Sequence, residues 1–267
     1  MYDEAVYDEA VYHGALTELE AELYALTHRG NPGDSEFYVR ACAGARRVLE
    51  LGTGYGRLLP ALLGTAERVV GLDREPAFLR AARRHVRRSK AAARGKLELV
   101  QGDLQDFELR GRFDRILLPY NALYCLLGRR ALGSCLSRVR AHLAPGGRFL
   151  FDVWSADRFL RRPWASAHHD DREALVSLSH RGQLWQVFER SRLSSARQRL
   201  DVVYTYVSHP AGARVEIPIP QRYASARELR EHLARAGLRV EARWGDFAGA
   251  APSRAAPFLI VQAGARA

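Results

Sequence analysis

The sequence predicts an α/β fold, a doubly wound and mostly parallel sheet interrupted by an antiparallel insertion, and three observations predict it. Between residues 46 and 153 short apolar strands alternate with helical stretches, the pattern of right-handed crossovers. Three alternating glycines, Gly52, Gly54 and Gly56, stand where the strand Arg46-Arg47-Val48-Leu49-Glu50-Leu51 gives way to a helix expected over Arg57-Leu58-Leu59-Pro60-Ala61-Leu62-Leu63. From about residue 170 to 222 the pattern becomes a strict alternation: Leu200, Val202, Tyr204 and Tyr206 share one face of a strand, and Asp201, Val203, Thr205 and Val207 the other.

The first segment repeats itself, Tyr2-Asp3-Glu4-Ala5-Val6 and Tyr7-Asp8-Glu9-Ala10-Val11, then Tyr12, before Leu16, Leu19, Leu23 and Leu26 take up helical spacing. A five-residue period does not keep one helix face, so this is a short duplication and not a solenoid. Asn31-Pro32-Gly33 breaks the chain, and Asp34 or Ser35 is placed to cap a second helix through Ala43. The glycine turn calls for positive φ and bare main chain, which marks where a small ligand lies. A dinucleotide fingerprint would set its third glycine at position 57, but Arg57 stands there and Gly56 comes one residue early. A pyrophosphate needs the helix N-terminus uncovered, so the expected ligand carries an adenosine without phosphates. The second strand, Arg68-Val69-Val70-Gly71-Leu72-Asp73, ends in a carboxylate nineteen positions after Gly54, near the spacing of about 20 residues for a ribose ligand. A third strand, Lys96-Leu97-Glu98-Leu99-Val100, runs into Gln101-Gly102-Asp103-Leu104, where Asp103 can accept from an adenine amino group. Beyond the insertion a helix is expected over Ala226 to Ala236, with strands over Leu238 to Trp244 and Pro257 to Gln262.

In this order the motifs resemble those of the class I S-adenosylmethionine (SAM)-dependent methyltransferases. Phe113-Asp114-Arg115-Ile116-Leu117-Leu118-Pro119-Tyr120-Asn121 resembles the family's fourth strand and active-site segment, and Leu143-Ala144-Pro145-Gly146-Gly147-Arg148-Phe149-Leu150 its entry to the fifth. The similarity extends to Arg222-Tyr223, Gly237-Leu238 and Gly245-Asp246-Phe247. The resemblance implies a Rossmann-like, seven-stranded sheet divided into an N-terminal helical lid (1–44), a SAM-binding core (45–154), an antiparallel insertion serving as lid or acceptor-site wall or merely extending the sheet (155–222), and a C-terminal completion (223–267). It implies SAM as cofactor, S-adenosyl-L-homocysteine as product, and no metal. Cofactor contacts are expected at Glu50, Gly52, Thr53, Gly54, Gly56, Arg57, Asp73, Arg74, Asp103, Leu104 and Pro119, with Glu50 as loop anchor, Asp73 as ribose ligand, and Asp103 with the Leu104 amide as adenine reader. Arg57 either pairs with the cofactor carboxylate or faces solvent. Tyr120, Asn121 and Tyr124 are the expected catalytic residues, placed where an acceptor meets the methyl group; an aromatic face there also attracts a sulfonium. His168-His169-Asp170-Asp171 is the densest group of proton acceptors, or an exposed loop.

At 267 residues and 47% apolar, the chain can bury one large core. No run reaches the ~20 apolar residues of a membrane span, and the acidic N-terminus is unlike a signal peptide; a soluble, cytoplasmic protein is expected. Cys42, Cys125 and Cys135 form no C-x-x-C pair, which suits a reducing compartment and argues against structural zinc. The net charge of +11 raises nucleic acid as a partner. Its sharpest cluster, Arg80 to Lys96, spreads around most of a helix instead of forming a stripe, and lysine occurs only at 90 and 96. Leu118-Pro119-Tyr120 lacks the leading polar residue and second proline of base-amino methylation segments, and neither Cys125 nor Cys135 follows proline or threonine, as a cytosine C5 nucleophile does. The expected reaction is methyl transfer to nitrogen or oxygen of a small molecule, by in-line displacement. A tRNA or rRNA methyltransferase, or a SAM-binding protein with other chemistry, is the alternative.

Overall fold

In a computed structural model of the chain, residues 15–89, 96–158, 166–170, 173–253 and 255–266 are described. The tyrosine repeat and Asp171 lie outside them, as do the side chains of His168, His169 and Asp170. The chain runs through α1 (Glu18–Thr27), α2 (Asp34–Ala41), β1 (Arg47–Leu51), α3 (Leu59–Leu63), β2 (Arg68–Asp73), α4 (Pro76–Arg88), β3 (Leu97–Gln101), β4 (Phe113–Leu118), α5 (Arg129–His142) and β5 (Leu143–Trp154). An insertion follows, with β6 (Ser166–Asp170), β7 (Val176–His180), β8 (Gln183–Ser194), β9 (Arg199–His209) and β10 (Arg214–Arg222); α6 (Ala226–Arg235), β11 (Leu238–Trp244) and β12 (Phe258–Ala265) complete the chain.

Seven strands make one sheet in the order β11-β12-β5-β4-β1-β2-β3, in which only β12 runs antiparallel to its neighbours. Strand order reverses at β1, which pairs with β2 on one side and β4 on the other. Ligands of open α/β sheets bind outside the strand ends at such a switch. Alternate residues of the parallel strands enter opposite cores, as full burial on both faces demands. Leu49, Ile116 and Phe149 pack with Leu136 of α5 and Leu229 of α6; Val48, Leu117 and Leu150 pack with Phe37 of α2, Leu59 of α3 and Ala82 of α4.

The insertion is a second sheet, ordered β10-β9-β8-β6 with β7 also on β8, and every pairing in it is antiparallel. Its Trp185, Val187, Tyr206 and Ile217 close over Leu23 of α1. The opposite side of α1 packs Ala21 on Ala77 and Phe78 of α4. Charged pairs reinforce the seam: Glu18 binds Arg80 and Arg84, and Glu22 binds Arg84, His180 and Arg181. Two arginines of the basic cluster are therefore occupied in holding α1. No helix among the described residues is long and apolar enough to cross a membrane.

Several boundaries differ from those expected, each for a local reason. The turn after Gly56 delays α3 to Leu59, where Pro60 sits in the first turn with no hydrogen bond to lose. The first residue of α2 is Asp34, and Gly33 precedes it in the left-handed region without a side-chain cap; the Asp34 carboxylate, expected as a cap, is engaged by Arg57. The segment Leu143 to Gly147, expected as helix end and turn, is already part of β5, with Gly146 at φ 71 and a register shift against β4.

Candidate active site

The glycine turn leaves β1 with Gly52 at φ 63, Gly54 at φ 54 and Gly56 at φ 78. The three glycines serve different ends. A Cβ on Gly56 would stand 2.8 Å from Leu59 Cδ1 and 2.9 Å from Ala82 Cβ, so this glycine lets α4 approach the loop. A Cβ on Gly54 would meet nothing within 4 Å. Its amide donates to Asp73 Oδ2 at 2.7 Å, and Glu75 N–H donates to Asp73 Oδ1 at 2.9 Å. Beneath the loop, Thr53 Oγ1 donates to Glu50 Oε2 at 2.7 Å, while Thr53 N–H donates to Leu72 O. Gly102 N–H donates to Asp73 O, bringing the β3 tip and Asp103 beside the β2 tip. Asp103 Oδ1 itself accepts from Gln105 N–H, Leu104 packs on the core, and the more exposed Arg74 pairs with Glu75.

Two carboxylates here are buried and short of cations. Burial raises Glu50 to about 7, against the opposing pull of Thr53 and Arg57. Burial likewise raises Asp73 to about 6, against the amides of Glu75 and Gly54. Removing a carboxylate from water penalises its charged form, and a cation placed alongside restores it. Such a pair of acids on open main chain fits a ligand bearing a ribose and positive charge.

At the β4 tip, Pro119 leads into Tyr120 and Asn121, both left-handed with φ 57 and φ 62. Non-glycine residues there store strain of the kind found at functional sites. Asp152 of β5, fully buried, holds the turn: its Oδ1 accepts from Tyr120 N–H at 2.8 Å and from the Tyr38 hydroxyl at 2.6 Å, and its carbonyl accepts from Asn121 N–H. Burial raises Asp152 to about 6. The Asn121 side chain accepts from Trp154 N–H at 2.6 Å, joining the β4 and β5 ends. Tyr124 is 1% exposed, and its hydroxyl donates to Ala224 O at 3.0 Å. Its phenol is committed to the core, unlike the acceptor-facing role expected of it. Of the three residues expected to be catalytic, only Tyr120 keeps a side chain free of such structural bonds, and burial raises its phenol, so it is an uncharged hydroxyl at neutral pH. Arg57 does not face solvent, one of the two expectations for it: it forks onto Asp34 with two 2.7 Å bonds and lies 5.7 Å from the Tyr120 ring.

Opposite Tyr120 the end of α1 presents His28, 7% exposed, stacked on Tyr24 and edge-on to Tyr204 and Tyr120. Its carbonyl accepts from the Tyr55 hydroxyl of the glycine loop. Nδ1 lies 3.1 Å from Tyr24 O, a group that only accepts, so the proton resides on Nδ1; Nε2 is buried without a partner. Burial lowers the ring to about 4, leaving it neutral. Sequence reasoning missed His28, Asp34, Asp152 and Tyr38. Asp152 alone had a readable signal, since it ends an apolar run as Asp73 does. Among the described residues no group of three or more His, Cys, Asp or Glu is placed to hold a metal ion.

Residues 48–147 match a family model described as a methyltransferase domain. No curated protein matches significantly. The fold is similar to that of the CcbJ methyltransferase from Streptomyces caelestis (24% identity, 88% of this chain and 97% of that one, TM-score 0.73). It is also similar to a SAM-dependent methyltransferase from Clostridium acetobutylicum (16%, 92% and 98%, TM-score 0.74). A third likeness is the sugar N-methyltransferase KedS8 from a Streptoalloteichus species (21%, 99% and 99%, TM-score 0.70).

Proposed function

Because residues 48–147 match a methyltransferase domain, we propose that this chain is a class I SAM-dependent methyltransferase and that it methylates a nitrogen or oxygen atom of a small-molecule acceptor. The observation that carries the reading is Gly54: bare main chain, open on its outer side, tied to a buried carboxylate at the neighbouring strand tip. When bound, SAM supplies a methyl group already activated on a sulfonium, so alignment accounts for most of the acceleration, roughly 10⁵–10⁸ M in effective molarity. In this reading Glu50, Gly52, Thr53, Gly54, Asp73, Asp103 and Leu104 hold the cofactor, Gly56 and Arg57 shape its loop, and Tyr120 meets the acceptor. Asn121 and Tyr124 position that tip. The insertion forms the acceptor wall and α1 with its preceding segment the cover. The full-length likeness to a sugar N-methyltransferase supports a small acceptor over RNA.

A calorimetric titration with SAM, S-adenosylhomocysteine and NAD tests the cofactor, and a screen of amines, phenols and carboxylic acids beside bulk tRNA tests the acceptor. NAD binding without SAM binding, or turnover on tRNA alone, overturns the reading. Gly54→Ala adds a methyl group where the cofactor lies and is expected to weaken SAM at least about tenfold, or 1.4 kcal/mol. The same titration checks it; wild-type affinity would place the cofactor elsewhere.

Affinity should also depend on pH. Glu50 at about 7 and Asp73 at about 6 are partly protonated in the free protein below neutrality, and a cation favours their ionised forms. Binding therefore releases protons, and affinity rises from pH 5 to a plateau above about 7, by roughly tenfold or more if one group is fully coupled. S-adenosylhomocysteine, without the sulfonium, should show a shallower rise in the same calorimetric series. Equal slopes would remove these acids from the cation's neighbourhood.

A further inference from the structure

The insertion turns one face toward α1 and the β4 tip, and the strand registers say which side chains it carries. Trp185, Val187, Glu189, Ser191 and Leu193 of β8 stand opposite Ser208, Tyr206, Tyr204, Val202 and Leu200 of β9. Val215, Ile217, Ile219 and Gln221 of β10 continue the same face beside Tyr206, Tyr204, Val202 and Leu200. Across these three strands Glu189 is the sole charged side chain on that face. It is half-buried, stands directly opposite Tyr204 in the β8–β9 register, and has no cation within ion-pair distance among the described residues. The Tyr204 ring is in edge contact with His28, 4.6 Å between centroids, and His28 in turn faces Tyr120 at 6.3 Å. His28, more than nine-tenths buried, has no partner for Nε2.

We propose that Glu189, with Tyr204, selects an amine as the methyl acceptor and stabilises the positive charge on its nitrogen. The inference rests on the cofactor reading above and narrows its acceptor. The ammonium form of the amine first loses one proton to solvent; the nitrogen lone pair so freed then forms the N–C bond while the C–S bond breaks and leaves its electron pair on sulfur. The positive charge thus passes from sulfur to nitrogen, and the product is an ammonium. A carboxylate at the acceptor end favours that displacement of charge. Toward a phenolate or carboxylate acceptor the same Glu189 would be repulsive, because both it and the nucleophile are anionic. In a chain of net charge +11, a carboxylate that is the sole charge on this face of β8, β9 and β10 among the described residues is the local exception. The neutral His28 fits the same logic, since a protonated ring there would oppose the charge arriving on nitrogen; its low pKa accords with this.

The test uses sets of one carbon skeleton bearing different groups, such as cyclohexylamine, cyclohexanol and cyclohexanecarboxylic acid, with the full chain. Binding is measured in the presence of S-adenosylhomocysteine, and product from labelled SAM. The amine of each set is expected to bind at least about tenfold more tightly and to be the member methylated. Glu189→Gln is expected to abolish this preference and lower kcat on the amine by roughly 10²-fold, with SAM affinity within about twofold of wild type; Glu189→Asp should recover part of the loss. Preference for the hydroxyl or carboxyl member, an amine preference retained by Glu189→Gln, or binding of no member by a protein that does bind SAM would each overturn the inference. Failure to bind SAM at all would instead overturn the cofactor reading.

Discussion

Arg57→Ala is expected to destabilise the protein by about 3–5 kcal/mol, the cost of stranding one partner of a buried ion pair. Asp34 is 2% exposed and Arg57 closes both of its carboxylate oxygens in a two-bond fork. Without the guanidinium, Asp34 keeps only the Asn31 amide as a donor beyond its own helix. Arg57→Lys restores charge but not the fork, so an intermediate loss is expected. The double variant Asp34→Asn/Arg57→Met, which removes both charges, should regain much of the stability. Urea unfolding at pH 7 measures all three. A loss below about 1 kcal/mol for Arg57→Ala would class the pair with ordinary surface bridges. The contact also reaches the site, because the Tyr120 ring lies over this guanidinium.

Asp152→Ala is expected to reduce kcat by roughly 10²-fold, the scale of a 1 Å misplacement of an aligned group, while changing SAM affinity much less. The carboxylate of Asp152 secures the Tyr120 amide and the Tyr38 hydroxyl, and its carbonyl the Asn121 amide, so it fixes two consecutive residues in a conformation that they otherwise avoid. Asp152→Asn keeps the Oδ1 acceptor and removes a buried charge whose Oδ2 lacks a partner. That variant is expected to fold at least as stably as the parent at pH 7 and to retain more activity than the alanine form. Hydrogen exchange at the Tyr120 amide gives a readout independent of any acceptor: protection should fall in the alanine variant and persist in the asparagine one. Unchanged protection in both would mean that the turn holds itself.

The seven-stranded sheet and the glycine turn at its switch point were legible because their signals are short in range. Glycines beside an apolar strand, and an acid ending the next strand, recur within about twenty residues, and their burial follows from period alone. The antiparallel insertion was legible from alternation for the same reason. The ion pair of Arg57 was not legible because its partner lies twenty-three positions away on a helix whose packing no local pattern encodes. Asn121 and Tyr124 have residue types suited to catalysis, yet their side chains bond Trp154 N–H and Ala224 O, contacts fixed only when β5 and the chain before α6 arrive. Glu189 stood in an alternating strand whose facing side depends on the register with β9.

The antiparallel sheet borrows the centre of its hydrophobic layer from Leu23, some 160 to 190 residues earlier in the chain, and the same helix is bolted to α4 by arginines. The insertion is thus not a detachable cassette. Transplanting this sheet onto another scaffold would mean carrying the opening helix with it.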